Sequence, residues 1–345
     1  MLAASGAQSL AATEPPHISK PRPAPPGPST VPPLPPAQFD STLAISGKDL
    51  KAREVDTRLN VDVLINGRGP YRFVVDSGAD TSVVGLRIAH DLQLPLGSPA
   101  ILNATTSRSI VDRVKVDALT VGSSTIPNLE LPALREGDVG GDGLIGIDAL
   151  TEQRLMMDFE AHQVRVEDAR IPYRPSPGDI VVIARRTRGQ LILTAVRAGN
   201  IRLDAVVDTG SEVTIGNTAL RDKLLSGHRA RFWTVEATGV TGDKIKLQMA
   251  TIPYIQLGPV TLEDVPIAFA DVPPFALFGL ANQPALLLGT DLLDTFRRVS
   301  LDFHSRKIRF QLRHCGTEGV VISTASDYWR TTRLSSTSTA DVCGR

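Results

Sequence analysis

Cysteine is scarce in this chain of 345 residues: there are two, Cys315 and Cys343, both near the C-terminal end. So few thiols exclude a small disulfide-stapled scaffold and a cysteine-rich metal cluster. The pair could bridge in an oxidising compartment or stand as two separate surface thiols, and spacing alone leaves both readings open. Aromatic residues are few, at 5%, and net charge is absent, with Lys+Arg and Asp+Glu at 37 each. No global field would therefore draw the chain onto nucleic acid or anionic lipid. No apolar run reaches the about 18 to 20 residues that span a bilayer, so no integral membrane segment is expected. The G-x-S-x-G, H-E-x-x-H and P-loop patterns are missing, and the six histidines are scattered. Serine-hydrolase, zinc-peptidase and nucleotide-binding chemistry lose their usual signatures.

What is present begins with proline. Glu14 to Pro36 (EPPHISKPRPAPPGPSTVPPLPP) holds most of the N-terminal prolines, whose fixed φ and missing N–H favour extended polyproline II. It reads as a spacer holding the body away from a membrane or a leader, with a PxxP-binding partner as the alternative. Leu2 to Ala12 (LAASGAQSLAA) is small and mildly apolar. It is either the end of a secretory signal or a plain leader, so a periplasmic or secreted location is expected and a cytoplasmic one is the alternative. The dense basic run Arg185-Arg186-Thr187-Arg188 reads as a solvated turn, with an acidic partner or a cleavable loop as rival readings.

From about Ser46 onward, short Val, Ile and Leu runs are broken by Gly, Pro, Asn and Asp, while helical periodicity is scarce. A mainly β fold follows. Asn60–Ile65 and Tyr71–Val75 predict a hairpin around Asn66 to Pro70, and Gln190–Val196 with Ile201–Val207 predict a second around Arg197 to Asn200. The two hairpins introduce matching landmarks. Val74-Val75-Asp76-Ser77-Gly78-Ala79-Asp80 returns as Val206-Val207-Asp208-Thr209-Gly210-Ser211-Glu212, an offset of 132 residues (208 − 76). Leu119-Thr120-Val121-Gly122 returns as Ile255-Gln256-Leu257-Gly258, offset 136 (258 − 122), and Gly146 returns as Gly289, offset 143 (289 − 146). Four ordered landmarks, counting Asp158-Phe159 with Asp302-Phe303, indicate an internal duplication. The expected organisation is a leader over 1–45, a lobe over 46–170, a linker over 171–179, a second lobe over 180–312 and a tail over 313–345.

One Asp-Ser/Thr-Gly triplet is commonplace and its bland reading is an Asx turn at a strand end. Two triplets at matched places in two repeats, each after a Val-Val strand, are not commonplace. The segments FVVDSGADTSVVG (Phe73 to Gly85), AVVDTGSEVTIG (Ala205 to Gly216), LIGIDAL (Leu144 to Leu150) and LLLGTDLL (Leu286 to Leu293) together resemble aspartic peptidases of the retropepsin and pepsin type. The resemblance is greatest to bacterial single-chain, retropepsin-like proteins, and it covers both lobes and neither tail.

The resemblance implies two pseudo-symmetric acid-protease β-barrel lobes and a catalytic pair, Asp76 and Asp208, sharing one water. Ser77 and Thr209 would lock neighbouring loops through their hydroxyls, Gly78 and Gly210 would let the backbone bend, and Gly146 and Gly289 would support the loops through close backbone packing. Facing carboxylates cannot both ionise cheaply, so the pair would share a proton and titrate in two steps. Asp80 and Glu212 match the acid that binds substrate backbone in retropepsins. Flaps are expected at Asn103 to Ser109 and Ala237 to Asp243, making Asn103, Ala104, Thr105, Thr238, Gly239 and Val240 candidate substrate contacts. Two features depart from the family pattern. Neither flap has the Tyr of a pepsin flap, and Ile147 and Thr290 stand where viral retropepsins carry Arg. Asp148 and Asp291 are expected to cap the short helices after them. The implied partner is a polypeptide substrate, with no cofactor, no metal and, both aspartates lying in one chain, a monomer. A non-catalytic peptide-binding or scaffold module on the same fold is the competing expectation, and self-processing at the leader or at Arg185 to Arg188 is a third.

Overall fold

The computed structural model describes residues 17–35, 48–51, 53–55, 58–122, 124–150, 153–225, 231–313, 321–323 and 333–335. The segment Leu2 to Ala12 and both cysteines lie outside these residues.

Each half closes into a six-stranded barrel. In the first, the order is Arg58–Ile65, Arg68–Val75, Gly143–Ile145, Val83–Gly85, Ser124–Leu134 and Arg113–Val121, closed by pairing of Val63 with Val121. In the second, Gln190–Ala198, Ile201–Val207, Ala285–Leu288, Ile215–Gly216, Val260–Phe269 and Lys244–Leu257 follow in the same order, closed by Val196 against Leu257. The parallel pairings match as well: Ile145 beside Val75 and Leu288 beside Val207. These are the landmarks offset by 132 and 143 in sequence, so the duplication is structural.

The local reasons are legible. Asn66 and Gly67 both have positive φ, 50° and 74°, the pattern of a two-residue turn that matches strand twist. The connection is shorter than the five residues Asn66 to Pro70, because Arg68 to Pro70 already belong to the second strand. Gly122 and Gly258, equivalent turn positions, have φ of 61° and 59°. Alternation along Arg113–Val121 turns Val114 and Val116 inward and, after a change of phase, Leu119 and Val121. Burying each such side chain contributes about 1.5 to 3 kcal/mol.

A further sheet joins the lobes in the order Lys48–Lys51, Gln163–Asp168, Gln153–Asp158, Arg298–Asp302, Lys307–Gln311, Ile180–Thr187. At its centre Met156 pairs with Ser300, and around that point two equivalent ion pairs form, Arg154 with Asp302 at 3.3 Å and Arg298 with Asp158. Arg154 is 3% exposed and Asp302 1%; such charges are tolerated inside because they are paired and hydrogen-bonded. The run Arg185 to Arg188 is not a solvated turn. Ile180–Thr187 is a strand, only Arg188 and Gly189 turn, with φ of 54° and 98°, and Arg185 pairs with Asp204 at 3.1 Å. Among the described residues no helix is long and apolar enough to cross a membrane.

Candidate active site

Asp76 and Asp208 each follow the last residue of an interior strand, and each backbone N–H donates to the neighbouring parallel strand: Asp76 to the Ile145 oxygen at 2.9 Å, Asp208 to the Leu288 oxygen at 3.0 Å. Both carboxylates are tied to their own loops. Oδ1 of Asp76 accepts from the N–H groups of Gly78 and Ala79 at 2.8 and 3.0 Å, and Oδ1 of Asp208 from those of Gly210 and Ser211 at 3.1 and 3.2 Å.

The loops interlock across the lobes. Ser77 Oγ donates to the Val207 oxygen at 2.9 Å and accepts from Thr209 N–H at 3.2 Å. Thr209 Oγ1 donates to the Val75 oxygen at 2.8 Å and accepts from Ser77 N–H at 2.9 Å. Ser77 and Thr209 are 1% and 2% exposed, so no water competes for these bonds. The glycines allow the closest approach. A Cβ on Gly78 would lie 2.5 Å from Cγ of Asp208, and one on Gly210 would strike the carboxyl group of Asp76. Each carboxylate therefore rests against the other lobe's glycine, and the two carboxyl groups share a hydrogen bond. Burial, then the nearby Asp76 charge, then that hydrogen bond hold the Asp208 carboxyl well above the usual carboxylate range.

Gly146 and Gly289 sit behind the loops with no room for a side chain: a Cβ would meet the Thr81 backbone at 2.7 Å in one lobe and the Val213 backbone at 2.7 Å in the other. Asp148 and Asp291 are not themselves the N-cap residues of the helices beside them, which are Gly146 and Gly289, but the Asp291 carboxylate does accept from the Leu292 N–H of the first helical turn at 2.8 Å, as the capping expectation has it. They also clamp the loops that carry Asp76 and Asp208. Asp148 accepts from Ser82 Oγ at 2.7 Å and Ser82 N–H at 2.9 Å; Asp291 accepts from Thr214 Oγ1 at 2.6 Å and Thr214 N–H at 2.9 Å. The same hydroxyls then accept the Gly146 and Gly289 N–H groups, each at 3.0 Å. Burial pushes both carboxyl groups up to about 6. The signal that would have found them is the hydroxyl six residues after each aspartate of the pair, Ser82 and Thr214.

The cleft over the pair encloses about 110 Å³. Of the predicted contacts, Asp80, Asn103, Ala104, Thr105 and Val240 line it, beside the loop glycines Gly78 and Gly210, whereas Glu212, Thr238 and Gly239 do not. The near-symmetry breaks at Asp80, which pairs with Arg188 at 3.1 Å and accepts from Gln190 at 2.5 Å; Arg188 is part of the cleft wall and was not foreseen there. The flap loops meet: Ser107 Oγ and Thr241 Oγ1 lie 2.7 Å apart. A larger groove of about 510 Å³ runs along the outer face of the joining sheet beside Tyr173. Its Arg154, Arg298 and Asp158 are engaged in the central ion pairs, so chemistry rather than volume locates the candidate site.

Two duplicated six-stranded barrels meeting at facing Asp-Ser/Thr-Gly loops define the two-lobed acid-protease fold. The family model described as Aspartyl protease matches residues 61–149 and 194–292. The chain belongs to that family. A search of curated proteins finds no match.

Proposed function

We propose that this chain is an aspartic endopeptidase, hydrolysing peptide bonds with a water activated between Asp76 and Asp208. The observation that carries the reading is the facing pair itself, with Asp208 buried against Asp76 and disposed to hold a proton. In the reading, Asp76 is the ionised member. It takes a proton from water as the water oxygen attacks the peptide carbonyl carbon, and Asp208 donates its proton to the carbonyl oxygen. Collapse of the resulting diol returns a proton to Asp208, Asp76 passes its own to the leaving nitrogen, and the C–N bond breaks.

Backbone rigidity supplies the rest. The interlocked Ser77 and Thr209 and the clamps on Ser82 and Thr214 hold the carboxylates without reorganisation during the reaction, which is where catalytic electrostatics gain most. A polypeptide entering in extended form is the expected substrate, and both aspartates reside in one chain, so a single copy completes the site. The test is an assay of Asp76→Asn and Asp208→Asn, separately, on a mixed peptide library from acid to neutral pH. Loss of at least about 1000-fold in each is expected for removal of a member of the pair. Turnover surviving both changes would reject the mechanism, and peptide binding without turnover in the parent would favour a binding module.

A further inference from the structure

The proline-rich leader is not a free spacer over its described part. Arg22 and Pro23 pair antiparallel with Ile110 and Ser109 on one edge of the first flap hairpin, which Ala100–Asn103 and Arg108–Val111 form. On the other edge Ile101 N–H donates to the Pro32 oxygen at 2.8 Å and Leu34 N–H to the Ile101 oxygen at 3.0 Å, in the parallel sense, and Leu34 reaches the cleft wall. Both edges of this flap are therefore paired with extended chain.

The second flap hairpin joins Trp233–Thr238 to the first part of Lys244–Leu257 and is the structural equivalent of the first. Each follows the helix behind an aspartate loop, and Thr238 faces Lys244 at its tip as Asn103 faces Arg108. One edge is continued by the barrel strand Val260–Phe269, where Gln248 stands opposite Phe269. The other, along Trp233–Thr238, has no partner among the described residues. Edge strands are ordinarily guarded by lysine or proline, by a bulge, by shortness or by a covering segment. Trp233–Thr238 contains no lysine and no proline, pairs with its neighbour at all six positions without a shift of register, and carries one charge, Glu236, which Lys244 holds at 2.7 Å. Phe232, directly before it, is 46% exposed.

The matched tips place Glu236 where Ile101 stands in the first flap, two residues before the tip. Its N–H and C=O are therefore the equivalents of the pair that Ile101 gives to the leader. Thr234, Glu236 and Thr238 are exposed on the outward face, with Lys244 and Lys246 exposed opposite them, and Arg231 just upstream is exposed as well. Two lysines against one glutamate leave that face cationic. The flap tips touch, Ser107 Oγ and Thr241 Oγ1 lying 2.7 Å apart, and Val240 lines the cleft, so a chain seated on this edge lies on the same hairpin that covers the aspartates.

We propose that the outer edge of Trp233–Thr238 is an exosite, where an extended acidic segment of the polypeptide substrate, outside the stretch to be cut, adds as a further parallel strand with its carboxylates toward Lys244 and Lys246. Main-chain hydrogen bonds supply the affinity and the lysines the selectivity. The exosite rests on the peptidase reading and adds to it a second requirement of the substrate.

Binding is measured in the full chain carrying Asp208→Asn, so that bound peptide is not cut. The probes are a fluorescein-labelled peptide of alternating Val and Glu and its Val and Lys counterpart. Fluorescence polarisation should show the acidic peptide binding at least about tenfold more tightly, and the amides of 233–238 should exchange more slowly with deuterated water when it is bound. Glu236→Pro removes the outward N–H at an edge that tolerates the ring and should weaken binding about tenfold, the scale of one backbone hydrogen bond. Glu236→Ala keeps the N–H and should not weaken it. Lys246→Glu, at an exposed position, should reverse the preference between the two peptides. In the parent, an acidic extension on a peptide substrate should lower KM with kcat unchanged, and Glu236→Pro should cancel the gain. Protection of 76–80 and 208–212 but not of 233–238, equal affinities for Glu236→Pro and Glu236→Ala, or no binding of the acidic peptide would each overturn the exosite. Protection of 233–238 with no turnover in the parent supports the docking edge while the peptidase reading fails by itself.

Discussion

Thr209→Val isolates the bonds that join the two lobes beneath Asp76 and Asp208. Valine matches threonine in shape but has no hydroxyl, so the Val75 carbonyl and the Ser77 N–H lose partners now at 2.8 and 2.9 Å. With Thr209 2% exposed, water does not replace them, and each unpaired buried group costs about 1 to 3 kcal/mol. The better burial of a second methyl offsets part of this, leaving about 3 kcal/mol. Thr209→Ser keeps both bonds and loses one methyl, at about 1 kcal/mol. Urea unfolding of parent and both variants, read at constant m-value, should therefore separate Val from Ser by about 2 kcal/mol. Ser77→Ala combined with Thr209→Val should be non-additive by about 1 to 3 kcal/mol, since the two hydroxyls belong to one network. Equal stabilities for the Val and Ser variants would refute the reasoning, because the hydroxyl would then carry nothing across the lobe boundary.

Asp148 and Asp291 are raised from 3.8 to about 6, chiefly by burial. Between those values the folded state binds more protons than the unfolded, so these sites make stability fall as pH rises through the window and level off above it, by up to about 1.4 kcal/mol per pH unit each. The buried Asp208 acts in the same direction. The urea midpoint is expected to decline between about pH 4 and pH 6, and Asp148→Asn with Asp291→Asn to flatten that decline; a midpoint that climbs over the interval contradicts the assignment. Gly210→Ala would push a Cβ into the Asp76 carboxyl group, and a displacement of this kind costs about 100-fold or more in kcat/KM, measurable by initial rates while the unfolding transition is preserved. Arg154→Met leaves Asp302, 1% exposed, with only Arg309 at 3.4 Å among its arginine partners, and should destabilise by about 3 kcal/mol in the same urea experiment.

The facing aspartates Asp76 and Asp208 were legible because duplication made a short motif repeat with its flanking strands, and the strands themselves were legible from apolar alternation. The glycines Gly146 and Gly289 were legible for the same reason. The clamps were not: Asp148 and Asp291 lie beside helix starts in sequence, where a capping role is the local expectation, and only the barrel closure brings Ser82 and Thr214 to their oxygens. Glu212 illustrates the opposite error. It occupies the position equivalent to Asp80, yet only Asp80 lines the cleft and faces Arg188, because the Arg188-Gly189 turn comes from the second lobe and reaches the first.

By itself the amino-acid order determined two β-rich halves and the position of the acidic pair, both of which are written in short local patterns and their repetition along the chain. Tertiary structure decided everything that depends on contact across the lobe boundary or between distant segments. Ser77 meets Thr209 across that boundary, the carboxyl of Asp208 is pressed against that of Asp76, and a leader whose composition suggested a spacer lies along a flap with Leu34 at the cleft. The physical reason is that hydrogen bonding and burial are set by distance in space, and proline-rich chain, having few donors of its own, takes its conformation from whatever edge accepts it.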